Sequence, residues 1–245
     1  MILASILITS EEHQDQPLSQ KIIENIASFK LAHPGIEHRL FRGPEIREFL
    51  SNNYGRETLA AYDSLKPYAY KSDLARHCIL LHHGGVYADL SVYFLRRWIF
   101  QEAKLGVFRD FLVAAPWQTA NTLFFAPPGH KALAKAIELI CANVKNRHYG
   151  TSVLCPTGPV SFGKAIAMTC EPEDLIVGDS LYFTPPPGQG PLESVGSHCF
   201  VFGEEFVAVK RKRGGGPQSD LGITGGNEYV DLWYKRDIYA PDGKT

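Results

Sequence analysis

The chain has 245 residues, 44% of them hydrophobic, enough to bury one substantial core, and its formal net charge is -1. That balance gives no overall electrostatic reason to expect nucleic acid or an anionic membrane as a partner, so any anion binding must be local. The five cysteines, Cys78, Cys141, Cys155, Cys170 and Cys199, are scattered and lack the short paired spacing of a zinc site, as expected of reduced thiols in a cytoplasmic protein.

The opening run MILASILITS is apolar, has no basic flank and turns polar at Glu11-Glu12-His13. It is too short for a membrane span and poor as a secretion signal, and reads as a first buried strand. No later run approaches transmembrane length, which leaves peripheral association with the inner face of a membrane to surface patches or a partner. From Pro17 to Lys30, Leu18, Ile22, Ile23, Ile26 and Phe29 recur at helical spacing; His33-Pro34-Gly35 closes that helix and Ile36 to Phe41 returns as a strand. This β-α-β opening implies a parallel sheet with helices on its faces, an α/β architecture with ligands bound at strand carboxyl ends. Short helices are expected over Glu45 to Leu50 and Glu57 to Leu65.

The stretch Tyr70 to Leu95, YKSDLARHCILLHHGGVYADLSVYFL, carries the most information. Asp73, Arg76, Ile79, Leu80 and His83 fall three and four apart, so a helix presents Asp73 and Arg76 on neighbouring positions of one face. Gly84-Gly85 stops it, with His82 and His83 in the last turn, where the helix dipole favours them. Val86, Tyr87 and Ala88 then form a short buried strand that aims Asp89 into a cleft. Downstream, Phe111 to Ala115 and Thr122 to Ala126 have strand composition. His130 to Val144 is a helix with Leu133, Ile137, Ile140, Cys141 and Val144 on one stripe, and Thr157-Gly158-Pro159 opens another running to Thr169. Pro185 to Pro191 and Gly214 to Gly226 read as loops, because strand-like and aromatic segments follow each. No internal repeat is visible, and residues 1–245 read as one domain.

SDLAR, a spacer, then GGVYADLS resembles the core of the glycosyltransferase family whose sugar-binding region contains the DXD motif. That group includes fungal-type mannosyltransferases and is similar at its core to the glucosylating bacterial toxins. Asn121 ahead of a strand, a helix and the Thr-Gly-Pro turn extend the likeness over Tyr70 to Ile166, with a weaker tail. The resemblance implies a single-domain, GT-A-like, Rossmann-type mixed sheet flanked by helices. Residues 1–110 would be the nucleotide-sugar-binding half, and 111–245 the acceptor-side half with a C-terminal lid. It further implies a retaining transferase that moves a hexosyl group from a nucleoside-diphosphate sugar to a hydroxyl of a glycan or lipid-linked acceptor in polysaccharide or glycoconjugate synthesis. A divalent cation, manganese or magnesium, would assist. One position departs: the Asp-any-Asp tail reads Asp89-Leu90-Ser91, and a neutral hydroxyl is a poorer ligand for a hard cation than a carboxylate. Related capsular-polysaccharide enzymes are similar in carrying Asp-any-Thr or Asp-any-Ser, which implies weakened or altered metal binding rather than lost catalysis.

By resemblance Asp73 and Arg76 are the sugar-contacting pair, and a carboxylate beside a guanidinium suits neighbouring sugar hydroxyls; the competing account is a surface i, i+3 salt bridge. Asp89 is expected on the metal side, with Ser91 as a further ligand or water anchor. The alternative for Asp89 is a turn aspartate. Tyr87 is expected against the base or ribose, or else in the core, and Asn121 at the sugar or phosphate, or else as a turn residue. Lys210-Arg211-Lys212-Arg213 running into Gly214-Gly215-Gly216 is a candidate cationic loop for the diphosphate, against a solvated charge run. In the tail, Asn227, Tyr229 and Trp233 are expected to close over the donor as a lid; the alternative is aromatic docking onto the core. Two other classes share these motifs, a sugar-nucleotide or glycan-binding protein without turnover and a toxin-like effector that glycosylates a protein.

Overall fold

The computed structural model describes residues 1–98, 103–110, 117–183, 197–212 and 218–241; the expected strand over 111–115 and the loop over 185–191 lie outside them. The opening unit is β1 (Ile2–Leu7), wholly buried, α1 (Gln20–Ala32) and β2 (His38–Arg42), with β1 and β2 parallel. The first helix begins later than its apolar pattern, because the Ser19 hydroxyl accepts from the Ile22 amide and caps it. Two short helices follow, α2 (Gly43–Asn53) and α3 (Arg56–Ser64), then the motif helix α4 (Tyr68–His83). The remaining elements are β3 (Gly85–Ala88), β4 (Val92–Phe94), β5 (Leu105–Arg109), β6 (Leu123–Ala126), α5 (Lys131–Lys145), α6 (Pro159–Thr169), β7 (Leu175–Phe183), β8 (Ser197–Phe202), β9 (Glu205–Lys210) and α7 (Tyr229–Tyr234). The aromatic tail is thus helical, since Tyr229 and Trp233 fall four apart and both turn toward the protein. Among the described residues no helix is long and apolar enough to cross a membrane.

The nine strands form one mixed sheet in the order β2-β1-β3-β6-β5-β7-β8-β9-β4, with β1 parallel to β2 and β3, β5 parallel to β7, and the other pairs antiparallel. Only Asp89, Leu90 and Ser91 join β3 to β4, although five strands lie between them in the sheet order. Six strand spacings of a flat sheet would span roughly 29 Å, whereas four residue steps reach at most about 14 Å. The sheet must therefore curl until β9 and β4 return to the end of β3. The strand alternation divides the core accordingly. Val86, Ala88, Leu123 and Phe125 face one side with Phe108, Phe200, Ala208 and Phe29 of α1, while Tyr87, Phe124 and Ala126 face the layer of α2 to α6.

The α4–β3 junction depends on its two glycines. Gly84 has φ +61° and Gly85 φ +121°, and a Cβ on Gly85 would lie 2.0 Å from the carbonyl oxygen of Ile2, its partner in β1. Only glycine permits that approach.

Candidate active site

A cavity of about 390 Å³ opens over one edge of the curled sheet. Leu7 at the end of β1, Asp89 after β3, Asp110 after β5 and Lys210 at the end of β9 reach it with their strands' carboxyl ends, and Thr122 and His198 with the starts of the antiparallel β6 and β8.

Its floor is a buried ionic network. Asp73 Oδ1 forms an ion pair with Arg76 Nη2 at 3.0 Å and accepts from Asn121 Nδ2 at 2.7 Å, and Oδ2 accepts from the Thr157 hydroxyl at 2.7 Å. Arg76 donates through Nε to the Ser72 carbonyl at 3.1 Å and through Nη1 to the Asn121 carbonyl at 2.5 Å and to Asp89 Oδ1 at 3.3 Å. Its guanidinium lies 4.5 Å from the centre of the Tyr87 ring, and the Tyr87 hydroxyl donates to Asp89 Oδ1 at 2.8 Å. Burial pushes the Asp73 carboxyl up against the pull of Arg76, Thr157 and Asn121, and pushes the Tyr87 phenol well above its ordinary range, so Tyr87 remains a donor. A carboxylate offers about four lone-pair sites; Asp73 uses two of them for hydrogen bonds inside the protein and sets Oδ1 against the Arg76 guanidinium.

Asp89 is the exposed end of this network, with 28% of its side chain open to solvent. Its amide donates to the Thr122 carbonyl at 2.9 Å and its carbonyl accepts from Val92, so the backbone turns and leaves the carboxylate at the cavity. Ser91 is buried and also lines the cavity. Lys210 Nζ stands 4.0 Å from Asp89 Oδ2.

Comparison with known proteins bears on the same segment. Residues 19–110 match the model of the glycosyltransferase sugar-binding region containing the DXD motif, the segment that supplies Asp73, Arg76, Tyr87, Asp89 and Ser91. Over this segment, less than half of the chain, the protein is similar to the DXD glycosyltransferase family. A 58-residue stretch is 43% identical to an uncharacterized glycosyltransferase, L373, of Acanthamoeba polyphaga mimivirus, over 24% of this chain and 23% of that protein, so the match spans about a quarter of the relative's length. Among solved structures the fold is similar to the PaToxG glycosyltransferase, with a TM-score of 0.54 and 17% identity over 68% of each chain.

Of the residues expected at the site, Asp73, Arg76, Tyr87, Asp89, Ser91 and Asn121 come to one cavity. Within it Asn121 and Tyr87 are spent on neighbours: the Asn121 amide holds Asp73, and the Tyr87 ring lies between the Arg76 guanidinium and Phe124. The tail divides differently from the expected lid. Tyr229 lines the cavity, beside Tyr70. Asn227 instead accepts from the Tyr68 amide and donates to the Lys66 carbonyl, both at 2.9 Å, and Trp233 donates to the Tyr149 carbonyl at 2.9 Å under the Arg236 guanidinium. Both lie away from the cavity lining and dock the tail onto the core, because their polar groups find backbone partners there.

Three lining or supporting residues escaped the sequence pattern. Thr157 sits in the Thr-Gly-Pro turn, but its bond to Asp73 bridges 84 positions. Asp110, held by Gln118 Nε2 at 2.9 Å, and His198, opposite Lys210 in the β8–β9 ladder, reach the cavity through strand register alone. Burial, reinforced by Lys210, lowers the His198 imidazole to about 3, so it is neutral at physiological pH.

The donor set can be tested against a resident divalent cation. Magnesium and manganese take oxygen ligands and draw charge from carboxylates. Asp89 Oδ1 already accepts from Arg76 and Tyr87, Oδ2 faces Lys210, Asp73 is engaged by three side chains, and Ser91 brings no charge. Among the described residues no three histidine, cysteine or acidic side chains converge. Asp89 and Ser91 therefore do not make a resident cation site on their own.

Proposed function

We propose that the protein transfers a hexosyl group from a nucleoside-diphosphate sugar to a hydroxyl of a glycan or lipid-linked acceptor, with retention at the anomeric carbon. The observation that carries this is the position of Asp89, the single partly open carboxylate of a network whose other members are buried and satisfied. Arg76 and Tyr87 fix Asp89 Oδ1 from two directions, so the carboxylate is preorganised to accept hydrogen bonds from donor hydroxyls. Asp73, with acceptor capacity beyond its two internal hydrogen bonds and its ion pair, takes a sugar hydroxyl beside it. Tyr229, backed by the buried Tyr70, gives the cavity an aromatic side suited to the apolar face of a sugar ring. The bond between the anomeric carbon and the diphosphate oxygen breaks as the acceptor oxygen bonds on the same face. The acceptor proton passes to a phosphate oxygen of the leaving group, which needs no protein nucleophile.

The neutral Ser91 favours one rival, a protein that binds sugar nucleotide without turnover. Released nucleotide measured against UDP-glucose, UDP-galactose, UDP-N-acetylglucosamine and GDP-mannose separates the two. Hydrolysis or transfer from one donor by the wild type, lost by about 100-fold or more in Asp89→Ala, is the expected result. Full activity in a folded Asp89→Ala would remove the assignment, and donor-induced thermal stabilisation without release would favour the binding protein.

A further inference from the structure

The end of β9 alternates in a way that concerns the donor's charge. Lys210 and Lys212 line the cavity, while Arg211 between them turns to the other side, to Glu24 at 2.9 Å, Asn25 at 3.2 Å and the Tyr93 ring. β9 ends at Lys210 and the chain bends through Arg211 and Lys212, yet both lysines line the cavity, so two ammonium groups share the cleft side. Lys210, with 15% of its side chain exposed, lies 3.4 Å from the Thr122 hydroxyl and 4.0 Å from Asp89 Oδ2. Lys212 is half-buried and has no carboxylate within 4.0 Å among the described residues. Burial, then the neighbouring Lys210, holds its ammonium below the ordinary lysine range. Asp89 stands nearest the two ammonium groups, Glu228 and Asp220 act on Lys212 from farther off, and Asp110 also lines the cavity; an anion seated between the two adjacent, half-desolvated cations relieves both their repulsion and their desolvation.

The location is specific. Val92 pairs with Lys210 across the β4–β9 ladder, and the Arg211 amide donates to the Ser91 carbonyl at 2.7 Å. The lysine strand is thus stitched to the very position where the Asp-any-Asp pattern has its second acid. We propose that Lys210 and Lys212 form the seat of the donor's diphosphate, supplying by side-chain charge what the missing second acid would supply through a held cation. A diphosphate ester carries about two negative charges and the departing nucleoside diphosphate about three; two lysines beside it offset most of that charge where it grows. Asp89 holds Lys210 over the cavity between turnovers. This inference rests on the cavity being a nucleotide-sugar site.

Calorimetric titration tests it, with inorganic diphosphate, UDP and GDP as probes, first in chelator and then with manganese. Wild type is expected to bind inorganic diphosphate and one nucleotide in chelator, with manganese changing the affinity less than about threefold. Lys210→Gln and Lys212→Gln should each weaken binding of both by about tenfold or more, Lys210→Arg and Lys212→Arg should recover most of it, and Arg211→Gln should stay within about threefold of wild type. Binding that appears only with manganese, or that survives both glutamine substitutions, overturns the lysine seat while the nucleotide-sugar function stands. Absence of any nucleotide or diphosphate binding to wild type under either condition removes both. The single arginine variants, which keep charge and bulk, guard against loss of fold in the glutamine series.

Discussion

Two aspartates sixteen positions apart do different work because their surroundings differ. Asp73 is buried with two donors and the Arg76 guanidinium on its oxygens, so Asp73→Ala strands part of the Arg76 charge and leaves Asn121 and Thr157 without their acceptor. Its expected cost is about 3–5 kcal/mol, read as a fall in denaturation midpoint. Asp89 is partly open, and Asp89→Asn should keep the fold within about 1 kcal/mol while abolishing turnover. A variant pair with equal stabilities would contradict this division. Lys212 carries a pH prediction of its own. Its pKa is depressed in the folded protein and the anion selects the protonated form, so diphosphate affinity should fall as pH rises, starting below the usual lysine range, with proton uptake on binding. Titration in buffers of different ionisation enthalpy reads that uptake directly. At this scale the sequence spacing of Asp73 and Arg76 was enough to pair them, since three positions apart on a helix are neighbours. Thr157 could not be paired with Asp73 in advance, because no local rule encodes a bond across 84 positions.

The elements that carry the cavity were the easiest to read. The helix through Asp73, its double-glycine stop and the three apolar residues before Asp89 all appear, as α4 and β3, for reasons visible in local chemistry. Gly85→Ala should be among the most damaging small substitutions in the chain. It combines a left-handed backbone with a Cβ 2.0 Å from the Ile2 carbonyl oxygen, and a loss of about 3 kcal/mol or more is expected from thermal or denaturant unfolding. A stable Gly85→Ala protein would mean that β1 and β3 are not locked at this point. Less legible were β4, β5 and the register of β8 against β9, since strands of three to six residues are defined by their partners more than by their own pattern. The tail shows the same limit. Asn227 and Trp233 are residue types suited to a lid, but backbone groups at Tyr68, Lys66 and Tyr149 claim their polar atoms, leaving only Tyr229 at the cavity.

At the scale of the molecule, the short β3–β4 connection and the curl it forces bring the two ends of the sheet order together. That closure is why Lys210 and Lys212, more than a hundred residues beyond Asp89, line the same cavity. The tail completes the closure through Asn227, which clasps the start of α4 by two hydrogen bonds. Asn227→Ala should cost about 1–3 kcal/mol and expose the segment after Gly226 to limited proteolysis while leaving the cavity residues in place; unchanged cleavage would mean that the aromatic docking suffices. An alternating β-α-β opening predicted the α/β class, but not the curl, which depends on pairings between distant strands. The central claim is that the cavity over the end of β3 is where the sugar nucleotide sits. Hydrogen–deuterium exchange with and without a saturating nucleotide sugar chosen by the hydrolysis screen tests it most directly. Slowed exchange confined to peptides covering residues 70–76, 87–92, 119–122 and 210–212 is the expected result, and protection elsewhere, with these peptides unchanged, would contradict the account.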